Sequence, residues 1–443
     1  MTLPRISSEA GIWKAVRNVL AHHGMIAPIP NVTTHAISSV FTNANAIKRT
    51  ENATGTTSKI RPTERMFPDM ISAADPTREP IPTAAFAADP RSEIVAVADE
   101  AGVSTQRHKW NKAMAARYGV PYIDNLDEAL ASPNFDLISV CPEIERRGRV
   151  ILRCAGRGLP LFLDKPLAGT IDELSDIVSV VNASGNPVQM YSFTSTPWAR
   201  AAKAAVKSGE LGDLIGVHAE VMFAKGCAGT APQGIVRREH ESPERFTFTE
   251  AKRERFDLGI YPIVLCLWLA DSSVKQVRAI TANYFFAEHA AANIEDFGVL
   301  TIEVENGVVG SAIGGRIGFY SHPKIGPHGV TVSGTGGTKT FSAWDPHIEV
   351  FSDEPQPVLP TPHPEDPMSM WRSTQVESGV PRKMGWIAFE DESGWGADEV
   401  SSFLDCLDAD RSPEVGVDLA AAATEVVLTA YRSAALGEPV QLG

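Results

Sequence analysis

With 443 residues, 43% of them hydrophobic, and a formal net charge of −14, the chain has the composition of a globular protein and the length of two domains. The acidic balance argues against nucleic acid and against anionic membrane surfaces as partners, and suits a neutral small molecule. No apolar run approaches the ~20 residues of a membrane span. The cysteines Cys141, Cys154, Cys227, Cys266 and Cys406 are odd in number and lack Cys-x-x-Cys spacing, so free thiols in a reducing, cytoplasmic setting are expected.

Residues 1 to about 85 are rich in Thr, Asn, Ala and Pro and show little periodicity. Ile12 to Leu20 has the length of a short helix or strand, and Asn43 to Thr63 reads as loop or disorder. From Arg91 the pattern changes. Glu93 to Ala98 is a buried strand ending at Asp99, and Thr105 to Tyr118 a helix closed by Gly119. A short strand at Pro121–Ile123 and a helix capped by Asn125 follow. Phe135 to Cys141 is another strand, and Glu145 to Ala155 another helix.

Leu161-Phe162-Leu163 then reads as a buried strand running straight into Asp164-Lys165-Pro166. Thr170-Ile171-Asp172-Glu173 is a capping box that starts the next helix. An acid and a base thus sit together at the carboxyl end of a buried strand, the edge where open α/β sheets bind ligands. They read either as a structural ion pair or as a lysine able to share a proton with a substrate hydroxyl.

Thr196-Pro197 opens a helix that Gly209 ends. Leu214 to Phe223 is a long strand. Residues 226 to 255 are polar and charged, an insertion or lid. Leu258 to Leu269 is a helix. Strands over Val277–Phe286, Phe297–Val304, Val308–Gly314 and Val330–Val332 follow at hairpin spacing, with a tight turn at Asn306-Gly307. Helices over Asp398–Asp408 and Leu419–Leu436 close the chain. The pattern predicts an α/β protein: a Rossmann-like parallel sheet domain followed by an α+β domain with a large, mostly antiparallel open sheet. The expected division is an atypical N-terminal segment, 1–85, a Rossmann-like domain, 86–192, and a substrate and oligomerisation domain, 193–443.

Four stretches carry a resemblance. Asp164-Lys165-Pro166 resembles the Glu-Lys-Pro signature of the glucose-fructose oxidoreductase / inositol dehydrogenase family, with aspartate for glutamate. Ser208-Gly209-Glu210-Leu211-Gly212-Asp213 resembles the family's turn into its second domain. Phe256-Asp257-Leu258-Gly259-Ile260-Tyr261-Pro262 resembles its Asp-x-Gly-x-His/Tyr motif, and Ala430-Tyr431-Arg432-Ser433-Ala434 its last helix. The resemblance extends from about Arg91 to the C-terminus.

It implies an NAD(P)-dependent oxidoreductase moving hydride between a nicotinamide and a sugar, cyclitol or related polyol, in a homo-oligomer (dimer or tetramer) built on the second-domain sheet. Lys165 and Tyr261 are then catalytic, the tyrosine as base with its phenolate favoured by the lysine, and Asp257, which can also cap its helix, orients substrate. Asp99, Cys141, Pro142, Asp164, Lys165 and Pro166 line the cofactor, and the acid at Asp99 favours NAD over NADP. Two departures stand out. The only glycine in phosphate-turn position is Gly24, where the family has three, and Arg146-Arg147 stand where the family often has histidine. Gly334-Thr335-Gly336-Gly337 reads as a β-turn rather than a replacement. A redox-inactive relative that binds a sugar-like ligand or a partner is the competing reading, and NAD-assisted glycoside cleavage a third. No cluster has metal-ligand spacing.

Overall fold

Capped helices alternating with short apolar strands build the first half. The structure, a computed structural model, describes residues 44–49, 81–224, 229–232, 237, 239–248, 251–317, 327–342, 347–350, 385–388 and 397–442. All lie in one unit, Ser38–Gly443. The expectations placed on Ile12 to Leu20, on Gly24 and on Cys227 fall outside the described residues.

Strand β1 (Ala44–Arg49) and helix α1 (Ile81–Ala88) precede β2 (Ser92–Ala98), α2 (Thr105–Tyr118), β3 (Tyr122–Ile123), α3 (Leu126–Ala131) and β4 (Leu137–Val140). Then come α4 (Ile144–Ala155), β5 (Leu161–Leu163), α5 (Ile171–Ser184) and β6 (Val188–Met190). Local chemistry sets the helix ends. Ser104 Oγ accepts from Arg107 N, Asn125 Oδ1 from Asp127 N and Glu128 N, and Thr170 Oγ1 from Glu173 N at 3.2 Å. Gly119 closes α2 at φ 67°, a left-handed conformation that costs glycine nothing.

The six strands lie in the order β3-β2-β1-β4-β5-β6. β2 pairs parallel with β3, β4 with β5, and β5 with β6. The central strand is the exception. β1 runs antiparallel to both β2 and β4, with Ala44 opposite Ala98 and Val140. This corrects the loop reading at Ala44–Arg49, the described part of Asn43 to Thr63: Ala-Asn-Ala-Ile-Lys-Arg has no period-2 pattern, and long-range pairing with two strands makes it a strand. Since β2 and β4 both oppose β1, they run parallel to each other. Asp99, Cys141 and Asp164, each one residue beyond its strand, therefore share one carboxyl edge, as the sequence predicts.

The second half is a nine-stranded sheet. After α6 (Pro197–Lys207) come β7 (Leu214–Ala224), α7 (Glu254–Asp257), α8 (Ile260–Ala270), β8 (Val274–Ala282), α9 (Ala287–Ala291), β9 (Phe297–Val304) and β10 (Val309–Ile317). β11 (His328–Gly334), β12 (Gly337–Ser342), β13 (His347–Val350), β14 (Gly385–Ala388), α10 (Ala397–Asp408), α11 (Val417–Leu436) and β15 (Val440–Gln441) complete it. The order is β14-β13-β12-β11-β7-β10-β9-β8-β15, antiparallel throughout except for β7 beside β10. Gly334 and Gly337 face each other across the β11–β12 turn, so this glycine cluster is a hairpin, as expected.

Every residue of α8 is buried, which its unbroken apolar sequence allows. It lies between the sheet and α11. One contact fixes its height above the sheet: a Cβ on Gly314 would lie 2.6 Å from Gly259 Cα. Two glycines thus let the start of α8 touch β10 backbone to backbone; that start carries Tyr261, and Asp257 ends α7 two residues before Gly259.

Candidate functional site

The β5 strand delivers Asp164 and Lys165 to the carboxyl edge, and both are buried, at 8% and 7% exposure. They do not pair with each other. Asp164 Oδ2 accepts from Arg147 Nη2 at 2.7 Å, and Lys165 Nζ lies 3.1 Å from Asp257 Oδ1 and donates to the Asp257 carbonyl. The expected neighbouring ion pair is replaced by two pairs spanning 17 and 92 residues. The reason is geometric: adjacent side chains at the end of an extended segment point to opposite sides. The Lys165–Pro166 peptide is cis.

Asp257 collects three cations. Lys165 and Lys252, the latter at 3.3 Å, share Oδ1, and Arg316 Nη2 lies 3.2 Å from Oδ2. Burial alone would raise its pKa, but the three positive charges outweigh that and hold the carboxyl far below the usual aspartate range. Arg316 Nε also binds Glu254 Oε1 at 2.9 Å, and His289 Nε2 lies 3.0 Å from the same oxygen. Burial presses the Lys252 ammonium down, against the pull of Asp257. Asp257 is not the cap of α8, as the sequence suggests. It ends the one-turn helix α7, and Gly259 stands at the α8 N-cap without a side-chain bond.

Tyr261 lies beneath Lys165, whose Nζ is 4.8 Å from the ring centroid. The ring stacks flat on Phe193 at 4.2 Å, with Tyr191 edge-on at 6.1 Å. Burial, followed by the charges of Tyr191, Asp164 and Asp257, pushes the phenol well above its usual value. The expected phenolate is therefore disfavoured. The lysine meets the ring face, where an ammonium is attracted to the π-system of a neutral phenol.

A cleft runs between the carboxyl edge and the α7 segment, lined by Glu143, Lys165, Phe246, Thr247, Lys252 and Asp257 among others. Glu145 on α4 accepts from Phe246 N at 3.0 Å, Thr247 N at 2.8 Å and Thr247 Oγ1 at 3.1 Å, fastening the expected insertion across it. Sequence reading missed Lys252, Arg316 and Glu145. Lys252 stands five residues before a motif aspartate, a signal that could have been weighed. Arg316 and Glu145 reach the site only through folding.

At the cofactor edge, Asp99 is buried and held. Its Oδ1 accepts from Glu100 N and from Arg146 Nη1, both at 2.8 Å, and Oδ2 accepts from Asn111 Nδ2 at 2.9 Å. Cys141 is buried, and burial first, then Asp164, drives its thiol far above the ordinary range, so it is a packing residue there. Arg146 and Arg147 take separate roles, the first on Asp99, the second on Asp164.

The two halves agree with two family models. Residues 82–192 match an oxidoreductase family with an NAD-binding Rossmann fold, and residues 199–340 match the GFO/IDH/MocA C-terminal domain. The chain belongs to the GFO/IDH/MocA oxidoreductase family. This GFO/IDH/MocA chain is 25% identical to inositol 2-dehydrogenase of Pseudomonas syringae pv. syringae over 181 residues, 40% of its own length and 47% of the relative's. It is 25% identical to the uncharacterized oxidoreductase YhhX of Escherichia coli over 131 residues, 29% of the chain and 37% of the relative. The matched stretches thus span less than half of these two relatives.

Among solved structures, GenD2 from gentamicin A biosynthesis in complex with NAD superposes with TM-score 0.58 at 22% identity, covering 82% of this chain and 93% of that one. WlbA dehydrogenase from Bordetella pertussis in complex with NADH and UDP-GlcNAcA gives TM-score 0.59 at 18% identity, covering 82% and 94%. These likenesses show the fold. Among the described residues no helix is long and apolar enough to cross a membrane.

The residues fit a dinucleotide at its nicotinamide end: an acid and a lysine side by side on a strand's carboxyl edge, opening into a cleft. At the ribose end Asp99 already accepts three bonds, leaving about one of a carboxylate's four acceptor positions. The pyrophosphate end is less well matched, because no glycine occurs between Gly55 and Gly102.

Proposed function

We propose that the protein is an NAD-dependent dehydrogenase acting on a secondary hydroxyl of a sugar, cyclitol or related polyol. The observation that carries this is Lys165: a buried ammonium at the carboxyl edge of β5, aimed into the cleft and tethered from its far side by Asp257. Nicotinamide, when bound, supplies the carbon that takes hydride. Asp164, Pro142 and Pro166 would border it. Lys165 Nζ lies where it can hydrogen-bond the substrate oxygen: as the free amine, having given one proton to solvent, it takes the hydroxyl proton in oxidation, and as the ammonium it returns that proton in reduction. Asp257 keeps that ammonium oriented. Tyr261 forms the wall beneath it. Phe246 and Thr247 help to exclude water.

NAD is favoured over NADP because Asp99 places negative charge where a 2′-phosphate would lie. Ile280 and Val309, 64% and 48% exposed on the uncovered face of the nine-stranded sheet, support a homo-oligomer built on that face. The buried free thiols Cys141, Cys154, Cys266 and Cys406 support a reducing, cytoplasmic setting. A ligand-binding relative without hydride transfer is the second reading, favoured by the glycine-free stretch before Gly102. Fluorescence titration with NADH and NADPH, then turnover of a polyol panel by the wild type and Lys165→Ala, tests both. No NADH binding refutes the first reading. So does equal turnover by the lysine variant, because removing a group that stabilises the reacting oxygen costs ~100- to 1,000-fold.

A further inference from the structure

Arg147 is the most fully committed cation near the cleft. It lies on α4, is 5% exposed, and uses all five of its N–H groups. Nε and Nη2 donate to the Pro142 carbonyl at 3.1 and 2.7 Å. Nη2 also donates to Asp164 Oδ2 at 2.7 Å. Nη1 donates to the Pro166 carbonyl at 2.8 Å and to the Lys165 carbonyl. Three of the four acceptors belong to consecutive residues, Asp164, Lys165 and Pro166. The fourth belongs to the turn that follows β4.

The fork therefore grips the main chain just after the Lys165 Cα and the Asp164 side chain just before it, and ties both to the turn after the neighbouring strand. Lysine itself has four flexible side-chain bonds, and its charge is useful only where its nitrogen is placed. One end of the side chain is fixed by Asp257. The other end, the backbone, has its carbonyl fixed by Arg147. A planar guanidinium spreads five donors over three nitrogens and so reaches four separated acceptors, whereas an ammonium has three donors on a single nitrogen.

We infer that Arg147 is the positioning residue for Lys165, setting the main-chain register from which the lysine reaches the substrate oxygen. This rests on the reading that Lys165 acts on that oxygen. A merely structural arginine would change stability and leave the chemistry alone. A positioning arginine must change turnover in a protein that remains folded.

The test compares Arg147→Lys, Arg147→Ala and Lys165→Ala in the full chain with NAD and a polyol substrate. Arg147→Lys keeps the charge and loses the fork. It is expected to lower kcat by ~100-fold, the scale of a displacement of about 1 Å, with KM within ~3-fold of wild type. Lys165 acetylation by dilute acetic anhydride, read by mass spectrometry, should rise in the folded variant, because a loosened lysine loses its burial. Added methylguanidine should restore part of the turnover of Arg147→Ala and none of that of Lys165→Ala. If Lys165→Ala is dead while Arg147→Lys turns over normally with unchanged labelling, the inference is overturned and the role of Lys165 stands. If Lys165→Ala is active, both fall. If neither Arg147 variant folds, Arg147 is a structural residue and the inference is overturned.

Discussion

Replacing Asp257 by asparagine tests the charge balance of the site without changing its shape. Asp257 holds Lys165 at 3.1 Å, Lys252 at 3.3 Å and Arg316 at 3.2 Å, and its side chain is 12% exposed. Asparagine keeps one carbonyl acceptor but loses the charge, leaving three cations facing one another. Charge-assisted hydrogen bonds are each worth about 1.5–3 kcal/mol, so three would sum to more than the whole effect. The better guide is the cost of removing one partner from a buried ion pair, about 3–5 kcal/mol. Urea unfolding followed by tryptophan fluorescence should show that loss at pH 7, with the m-value unchanged. The pH dependence carries the stronger test. Because the folded-state pKa of Asp257 is depressed, its contribution is present above the unfolded aspartate value of about 3.9 and declines as pH falls below it toward the folded value. The gap between wild type and Asp257→Asn should therefore be constant from pH 7 to 5 and narrow below pH 4. A variant within about 0.5 kcal/mol of wild type at pH 7, a difference typical of substitutions away from any special contact, would refute the reasoning.

Glu399 behaves oppositely. Burial raises its carboxyl to about 8, although Ser195 N and Ser192 Oγ pull it down. The folded protein then binds the extra proton between about pH 4.3 and 8, so this group lowers stability as pH rises through that window; Glu399→Gln should be relatively more stable at pH 8 than at pH 5 by thermal melting. Asp99→Ala should strip the acceptor and free Arg146, which now bonds Asp99 at 2.8 Å, to meet a 2′-phosphate. NADPH binding should then tighten relative to NADH in fluorescence titrations. Gly314→Ala places a methyl 2.6 Å from Gly259 Cα, so α8 must move; a loss of about 1–3 kcal/mol is expected in denaturant, with turnover falling too.

From residue 91 onward the elements were legible because each carries its own chemistry. Thr105 to Tyr118 is observed residue for residue, closed by Gly119, and Phe297 to Val304 likewise. Pairings that depend on distant residues were not legible. Asp164-Lys165 reads as an ion pair until the fold supplies Arg147 and Asp257. Strand β1 has no local signal, since its neighbours on both sides come from Ser92 onward. For Tyr261 the misleading inference was proximity: a lysine near a tyrosine favours the phenolate only if it meets the oxygen, and here it meets the ring.

The bonds from Glu145 to the 246–247 backbone have a kinetic meaning. Two main-chain amides over the cleft are satisfied by one exposed side chain on a different element. Such amides exchange with solvent whenever that clasp parts, without any unfolding of the sheets beneath. Deuterium uptake at Phe246 and Thr247 would act as a clock for cleft opening. Slowing of that clock on adding dinucleotide or polyol would report ligand closure before any turnover is seen.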